Sequence, residues 1–254
     1  MDRKLLNRIL PFVVPVALLA VWTLATLHAT GASLIPSPAA VWKAFLRLLR
    51  NGTLLENIRI STVRAFAGLA LGGSIGFVLG VVNGLSPTAE KLLNTPVQMV
   101  RNVPYLAMMP LILVWLGIGE ATKIVLVAIG TFFSIYLNTF HGIRYIDASL
   151  LEMAKAYGLR GFALFRHVIF PGAFPSILVG LRQSLGRMWV TLIVAETVAA
   201  KSGIGYMVTN AREYMLMDVI VLGVILYGIL GVLSDQLASL LERKLLVWRR
   251  EGRN

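Results

Sequence analysis

AFAGLALGGSIGFVLGVVNGL, residues 65–85, contains no charged side chain. A helix needs about 20 apolar residues to cross the hydrocarbon core of a bilayer. The stretch therefore reads as the body of a transmembrane span at 62–85. Within it Gly68, Gly72, Gly76, Gly80 and Gly84 recur at every fourth position and form one smooth stripe. Small residues at that spacing let a second helix approach closely. The stripe serves either tight packing, within the chain or against a second copy, or the wall of a transport pathway.

Similar apolar blocks lie on both sides. They predict further spans at about 9–29, 103–119, 121–141, 172–198 and 217–241, the third and fourth of the six parted only by the turn Gly117-Ile118-Gly119-Glu120. The expectation is an all-α polytopic membrane protein with about six transmembrane helices. No repeat or low-complexity linker divides it, so residues 1–254 read as one domain. Composition agrees: 57% of residues are hydrophobic, 14% are charged, and the mean hydropathy is +0.77. A soluble domain of this size needs more polar surface. The block at 9–29 follows Arg3, Lys4 and Arg8 as a secretory signal would, but it is too long for one and reads as a retained span.

The net charge is +12. Most of the basic residues flank apolar blocks, where they act as topology signals beside anionic lipid rather than as a nucleic-acid surface. Basic residues at both ends, including Arg243, Lys244, Arg249, Arg250 and Arg253, place both termini in the cytoplasm, as an even number of spans requires. The loop at 142–171, with Arg144, Lys155, Arg160 and Arg166, falls on the same side. Lys43, Arg47, Arg50 and Arg59 break the rule, because parity puts them outside. Residues 38–50, PAAVWKAFLRLLR, read as an amphipathic helix on the membrane surface. There is no cysteine, and His28, His141 and His167 are too scattered for a metal site.

The 142–171 loop holds Glu152-Met153-Ala154-Lys155-Ala156-Tyr157-Gly158, then LRGFALFRH, then Val168-Ile169-Phe170-Pro171. SLLEMAKAY is a short helix of good helix formers that Gly158 stops. A second segment, GFALFRHVIF, ends where Pro171 and Pro175 restart the chain. The expected result is a helix–turn–helix elbow between spans four and five.

This loop resembles the EAA loop of ABC importer permeases: E-A-A, three residues, Gly, nine residues, then I-x-L-P. The match lies at Glu152, Ala154, Gly158 and Pro171, with Met153 in place of an alanine and Val168 and Phe170 as the apolar pair. NVPYLAMMPLILVWLGIGE (102–120) and GLRQSLGRMWVTLIVAE (180–196) further resemble the aliphatic sulfonate permeases, in a group that includes taurine and nitrate permeases. The resemblance implies a homodimeric channel in a bacterial inner membrane, two cytoplasmic ATPase subunits and an extracytoplasmic substrate-binding protein. It also implies that Glu152, Ala154, Lys155, Gly158 and Pro171 form the coupling site for the ATPase. The alternative for Glu152 is an exposed helical glutamate pairing locally with Lys155. The sequence has no Gly-Lys dipeptide and so no P-loop. The chain is expected to bind no cofactor itself, with ATP and Mg on the partner subunits.

Span five carries Arg182, Gln183, Arg187 and Glu196 in apolar surroundings. A charge at mid-membrane costs at least about 2.5–3.5 kcal/mol, so these groups should face protein or water. Arg182, Gly186, Trp189, Ile193 and Glu196 share one helix stripe, with Gln183 and Arg187 to one side. Arg182 and Glu196 are about 21 Å apart along the axis and need separate partners. Arg182, Gln183, Arg187, Trp189 and Glu196 are the candidates for a pathway favouring anions, against the alternative of interhelical salt bridges or snorkelling. Gln98 and Asn138 are weaker polar candidates, and Arg101 reads as an interface anchor. No residue set suggests catalysis. A self-sufficient channel or secondary carrier and a membrane-embedded enzyme are the competing classes, and the elbow argues against both.

Overall fold

The computed structural model describes residues 3–27 and 35–246, in which every regular element is helical. In chain order these are α1 (Arg3–Leu27), α2 (Pro38–Arg50), α3 (Thr53–Leu85), α4 (Pro87–Asn102), a 3-10 turn (Tyr105–Met108), α5 (Met109–Leu116) and α6 (Glu120–Arg144). Beyond them come α7 (Ala148–Ala156), α8 (Gly161–Leu164), a π turn (Phe165–Ile169), α9 (Phe170–Ala199), α10 (Ile204–Glu213) and α11 (Met217–Leu245). His28, Ala29 and the C-terminal Arg249, Arg250 and Arg253 lie outside the described residues.

Fewer spans stand out in the structure than the six expected. Among the described residues four helical runs are long and apolar enough to cross a membrane: α3, α6, the run Gly161–Val198 and α11. A bent pair, Pro87–Asn102 with Tyr105–Leu116, makes five if it counts as one span. Helix α1 covers the span expected at 9–29 as far as Leu27, and its apolar part among the described residues, Val13–Thr26, is shorter than the four clear spans.

The span expected at 103–119 begins at a break. Val103 is extended (φ −74°, ψ 124°), as a residue before proline is driven to be, and Pro104 has no N–H with which to continue α4. The chain turns by 83° there. The helical stretch beyond the turn is about 18 Å long, too short to cross alone. The opposite error occurs at span five. GFALFRHVIF does not end at Pro171 but runs on into α9. Pro171 cannot donate to the His167 carbonyl, and the preceding turn loosens so that Phe170 N–H bonds Phe165. The prolines thus widen one turn without stopping the helix.

Helix α6 is the centre of the bundle, packed between α3 and α9. The α3 glycines all face it: a Cβ on Gly68 would strike Val127, on Gly76 the Phe132 carbonyl, on Gly80 Thr139 and on Gly84 Ile143. At Gly72 the Ala128 backbone leaves no room for any side chain. The other flank uses the same device, with Gly130 and Gly142 of α6 against Thr191 and Ser176, and Gly180 of α9 against Asn138. Close backbones also permit hydrogen bonds between helices, Ser184 Oγ to the Thr131 carbonyl (3.0 Å) and Ser176 Oγ to the Asn138 carbonyl (2.8 Å). Side chains on the outside of α3, such as Val63, Ile75 and Val78, and of α11, such as Val224, Ile229 and Val232, are exposed. Such faces suit lipid or a second subunit rather than water.

Candidate functional site

The two ends of the bundle carry different chemistry. At one end α6 finishes at Arg144, whose guanidinium meets Glu90 of α4 at 3.3 Å, and the elbow comes next in the chain. Asp147 caps α7 by accepting from the Ser149 N–H (2.9 Å) and hydroxyl (2.8 Å). These bonds hold its carboxyl below the usual carboxylate range, the hydroxyl contributing most. Gly158 (φ +83°) ends α7 in a Schellman arrangement: Leu159 N–H bonds the Ala154 carbonyl (3.0 Å) and Gly158 N–H the Lys155 carbonyl (2.9 Å). Ala154 is buried. Glu152 and Lys155 are exposed, make no ion pair with each other, and stand beside exposed Met153, Tyr157 and Phe162. Tyr157 is 83% exposed. Pro171 lies a full helical segment away, after the π turn.

At the other end a cluster of charges is buried except at Glu120, whose side chain is 60% exposed. Arg64 of α3, 3% exposed, uses all five guanidinium N–H groups. Nε and one terminal nitrogen grip Glu120 as a fork (2.5 and 2.6 Å), the other terminal nitrogen reaches Glu196 (2.9 Å), and Ser202 accepts through its carbonyl (2.6 Å) and hydroxyl (3.0 Å). Glu196, 1% exposed, accepts in addition from Ser61 Oγ (2.8 Å), the Gly205 N–H (2.9 Å) and Tyr227 Oη (3.1 Å). Lys123 Nζ joins Glu120 at 2.9 Å. Two positive and two negative groups balance, and the three that are buried, Arg64, Lys123 and Glu196, are each hydrogen-bonded, the condition under which buried charge is tolerated. The cluster fastens α3, α6, α9 and α11 together. Through Glu196 and Ser61, which binds the Ile204 N–H (2.9 Å), it also caps the start of α10, where a carboxylate suits the helix dipole. Gly203 (φ +104°) admits no side chain because the Glu196 carboxylate fills that space.

The five pathway candidates of α9 are therefore dispersed. Arg182 forks onto Asp235 of α11 (2.7 and 3.0 Å) and lies 3.7 Å from Glu242. Trp189 is buried and donates to Ser234 Oγ (2.7 Å). With Glu196 on Tyr227, these three residues seat α9 against α11. Gln183 and Arg187 point to another, exposed face. Gln183 lies 3.5 Å from Asn138 of α6, and Arg187 has no ion pair among the described residues. Gln98 and Arg101 are exposed on α4.

Arg64, Glu120, Lys123, Ser61 and Tyr227 were not singled out by sequence reasoning. The usable signal was Arg64 itself, a charge inside the span 62–85. Its partners lie 56 and 132 residues away, and no local pattern joins them.

Residues 72–247 match the family of binding-protein-dependent transport system inner membrane components. The chain is 53% identical over 247 residues to the Escherichia coli (strain K12) protein named for aliphatic sulfonates transport, the permease SsuC, covering 97% of this chain and 94% of that one. The protein of the same name from Bacillus subtilis (strain 168) is 39% identical over 236 residues, covering 92% and 86%. The fold is similar to that of a chain in the crystal structure of an amino acid ABC transporter with histidines: TM-score 0.64, 17% identity, covering 79% of this chain and 97% of that one. The chain belongs to the inner membrane components of binding-protein-dependent transport systems, the permease subunits of ABC importers.

Proposed function

We propose that the chain is the channel half of a homodimeric, ATP-driven importer of aliphatic sulfonates, gripped at the α7 elbow by a separate cytoplasmic ATPase. Nucleotide and Mg belong to that ATPase, and an extracytoplasmic binding protein delivers the solute. The observation that carries the reading is the elbow. On a nine-residue helix, exposed Glu152 and Lys155 are flanked by exposed Met153, Tyr157 and Phe162. The helix thereby offers both charge and apolar surface to a partner. The layout proposed in the bilayer is six crossings, by α1, α3, the bent pair, α6, α9 and α11. Both termini and α7 are then cytoplasmic, and α2, α10 and the charge cluster lie outside.

For the solute, the exposed face of α9 bearing Gln183 and Arg187 is the proposed pathway. An arginine without a counter-charge at that depth must face water or protein, and its planar donors suit a sulfonate head group. The sulfonate reading also draws on the 53% identity to the Escherichia coli permease; taurine and nitrate are the alternatives. The test is growth on defined alkanesulfonates, taurine or nitrate as sole sulfur or nitrogen source, in a strain lacking other importers for them. Deleting the chain should abolish alkanesulfonate growth alone, and Arg187→Gln should lower alkanesulfonate uptake by about tenfold or more, the scale of one charge-assisted hydrogen bond. Unchanged uptake in that variant removes Arg187 from the pathway. Unchanged growth after deletion removes the substrate.

A further inference from the structure

Helix α2 carries an excess of positive charge where the topology leaves it unexplained. Val41, Ala44 and Leu48 turn inward, while Lys43, Arg47 and Arg50 stand exposed, on one side of the helix by their spacing of four and three. These three, with Leu46 and Asn51, line a shallow, open depression on the helix surface. Arg47 is partly engaged by Asp218 of α11 at 3.4 Å. Lys43 and Arg50 have no ion pair among the described residues.

The surroundings are those of a bilayer boundary. Trp22 near the end of α1 donates to the Pro36 carbonyl (3.0 Å), which fixes the start of α2 beside the end of an apolar helix whose Val14, Leu18 and Val21 are exposed. Trp42 is 60% exposed and stacks on Phe45 at 5.1 Å, as an indole does at the level of lipid head groups. A soluble partner docking on α2 would meet this aliphatic flank. A phospholipid satisfies both surfaces, with its phosphate against the basic face of α2 and its chains along α1.

We propose that α2 is a head-group site for anionic phospholipid in the leaflet opposite the elbow. Lys43 and Arg50 hold the phosphate, Arg47 is shared with Asp218, and Trp42 marks the acyl boundary. This accounts for Lys43, Arg47 and Arg50 lying on the side where cations are normally scarce. It depends on the placement of the helices in the bilayer and not on which solute is carried.

The test uses the full chain reconstituted in vesicles of phosphatidylcholine with 20% phosphatidylglycerol, one lipid or the other brominated to quench tryptophan. The Trp42 signal is taken as the difference from a Trp42→Phe protein. At equal mole fraction, brominated phosphatidylglycerol should quench Trp42 several times more strongly than brominated phosphatidylcholine. Lys43→Gln with Arg50→Gln should bring the two lipids close to equal quenching, because two charges near an anionic surface contribute enough to account for the whole preference. The charge-conserving pair Lys43→Arg with Arg50→Lys should keep it, which separates loss of charge from loss of fold. Equal quenching by both lipids in the parent protein overturns the proposal, as does an unchanged preference in the double glutamine variant. Abolition of the preference by inorganic phosphate overturns it in favour of a free-anion site. Loss of binding-protein docking in the glutamine variant, with lipid preference intact, overturns it in favour of a protein partner.

Discussion

Arg64 and Glu196 satisfy one another at the cost of mutual dependence. Each fills the hydrogen-bonding capacity of the other's neighbourhood, and neither is open to solvent. Removing one leaves the rest of the cluster buried and unbalanced, a loss of about 3–5 kcal/mol. Arg64→Ala and Glu196→Ala should each lower stability by that amount, read from the midpoint of unfolding in detergent. The double variant should cost clearly less than the sum, because the second change removes a charge already stranded by the first. Strict additivity would mean that the two residues are not one unit. Arg182 and Asp235 make as good a fork, but at the surface of the chain, where neither is enclosed by the protein as Arg64 and Glu196 are.

At the scale of the helix, glycine position separates contact from mere composition. Gly72 of α3 abuts the Ala128 backbone, whereas Gly228 of α11 has nothing within 4 Å of where a Cβ would sit. Gly72→Ala should cost about 1–3 kcal/mol as overpacking, since backbone cannot yield as a side chain can. Gly228→Ala should be neutral or slightly stabilising, by up to roughly 1 kcal/mol. Equal effects at the two positions in the same unfolding assay would remove packing as the cause. The residues of the stripe were legible from their spacing of four, but their partner was not. The amphipathic helix was legible to the residue, expected at 38–50 and found at Pro38–Arg50, because Pro38 next to the Ser37 cap starts it and the apolar period fixes its faces. Spans three and five were misread at their ends. Apolar counting does not register that Pro104 breaks a helix while Pro171 only loosens one.

Across the whole molecule, the charge cluster around Arg64 fixes one end of the bundle and the elbow leaves the other end open to a partner. Helices α6 and α9, packed against each other along their length, join the two ends as one body. A pull on α7 should therefore be transmitted as tilt rather than as local bending. Gly158→Asp has free space around it but strains a left-handed residue by about 1–2 kcal/mol. It should leave the protein in the membrane at normal levels while uptake falls and ATP hydrolysis by the complex persists. Near-normal uptake at matched membrane levels would detach α7 from coupling.

Sequence alone determined the class of protein, the elbow and the amphipathic helix at 38–50, because these rest on short-range facts: runs of apolar residues, a period, a glycine that stops a helix. It also showed that Glu196 needed a partner. Which partner, and that Arg64 and Glu120 belong to the same site, only the tertiary structure decided. Ion pairing acts through space over a few ångströms, and the residues that share this pocket are brought together only when α3, α6 and α9 pack.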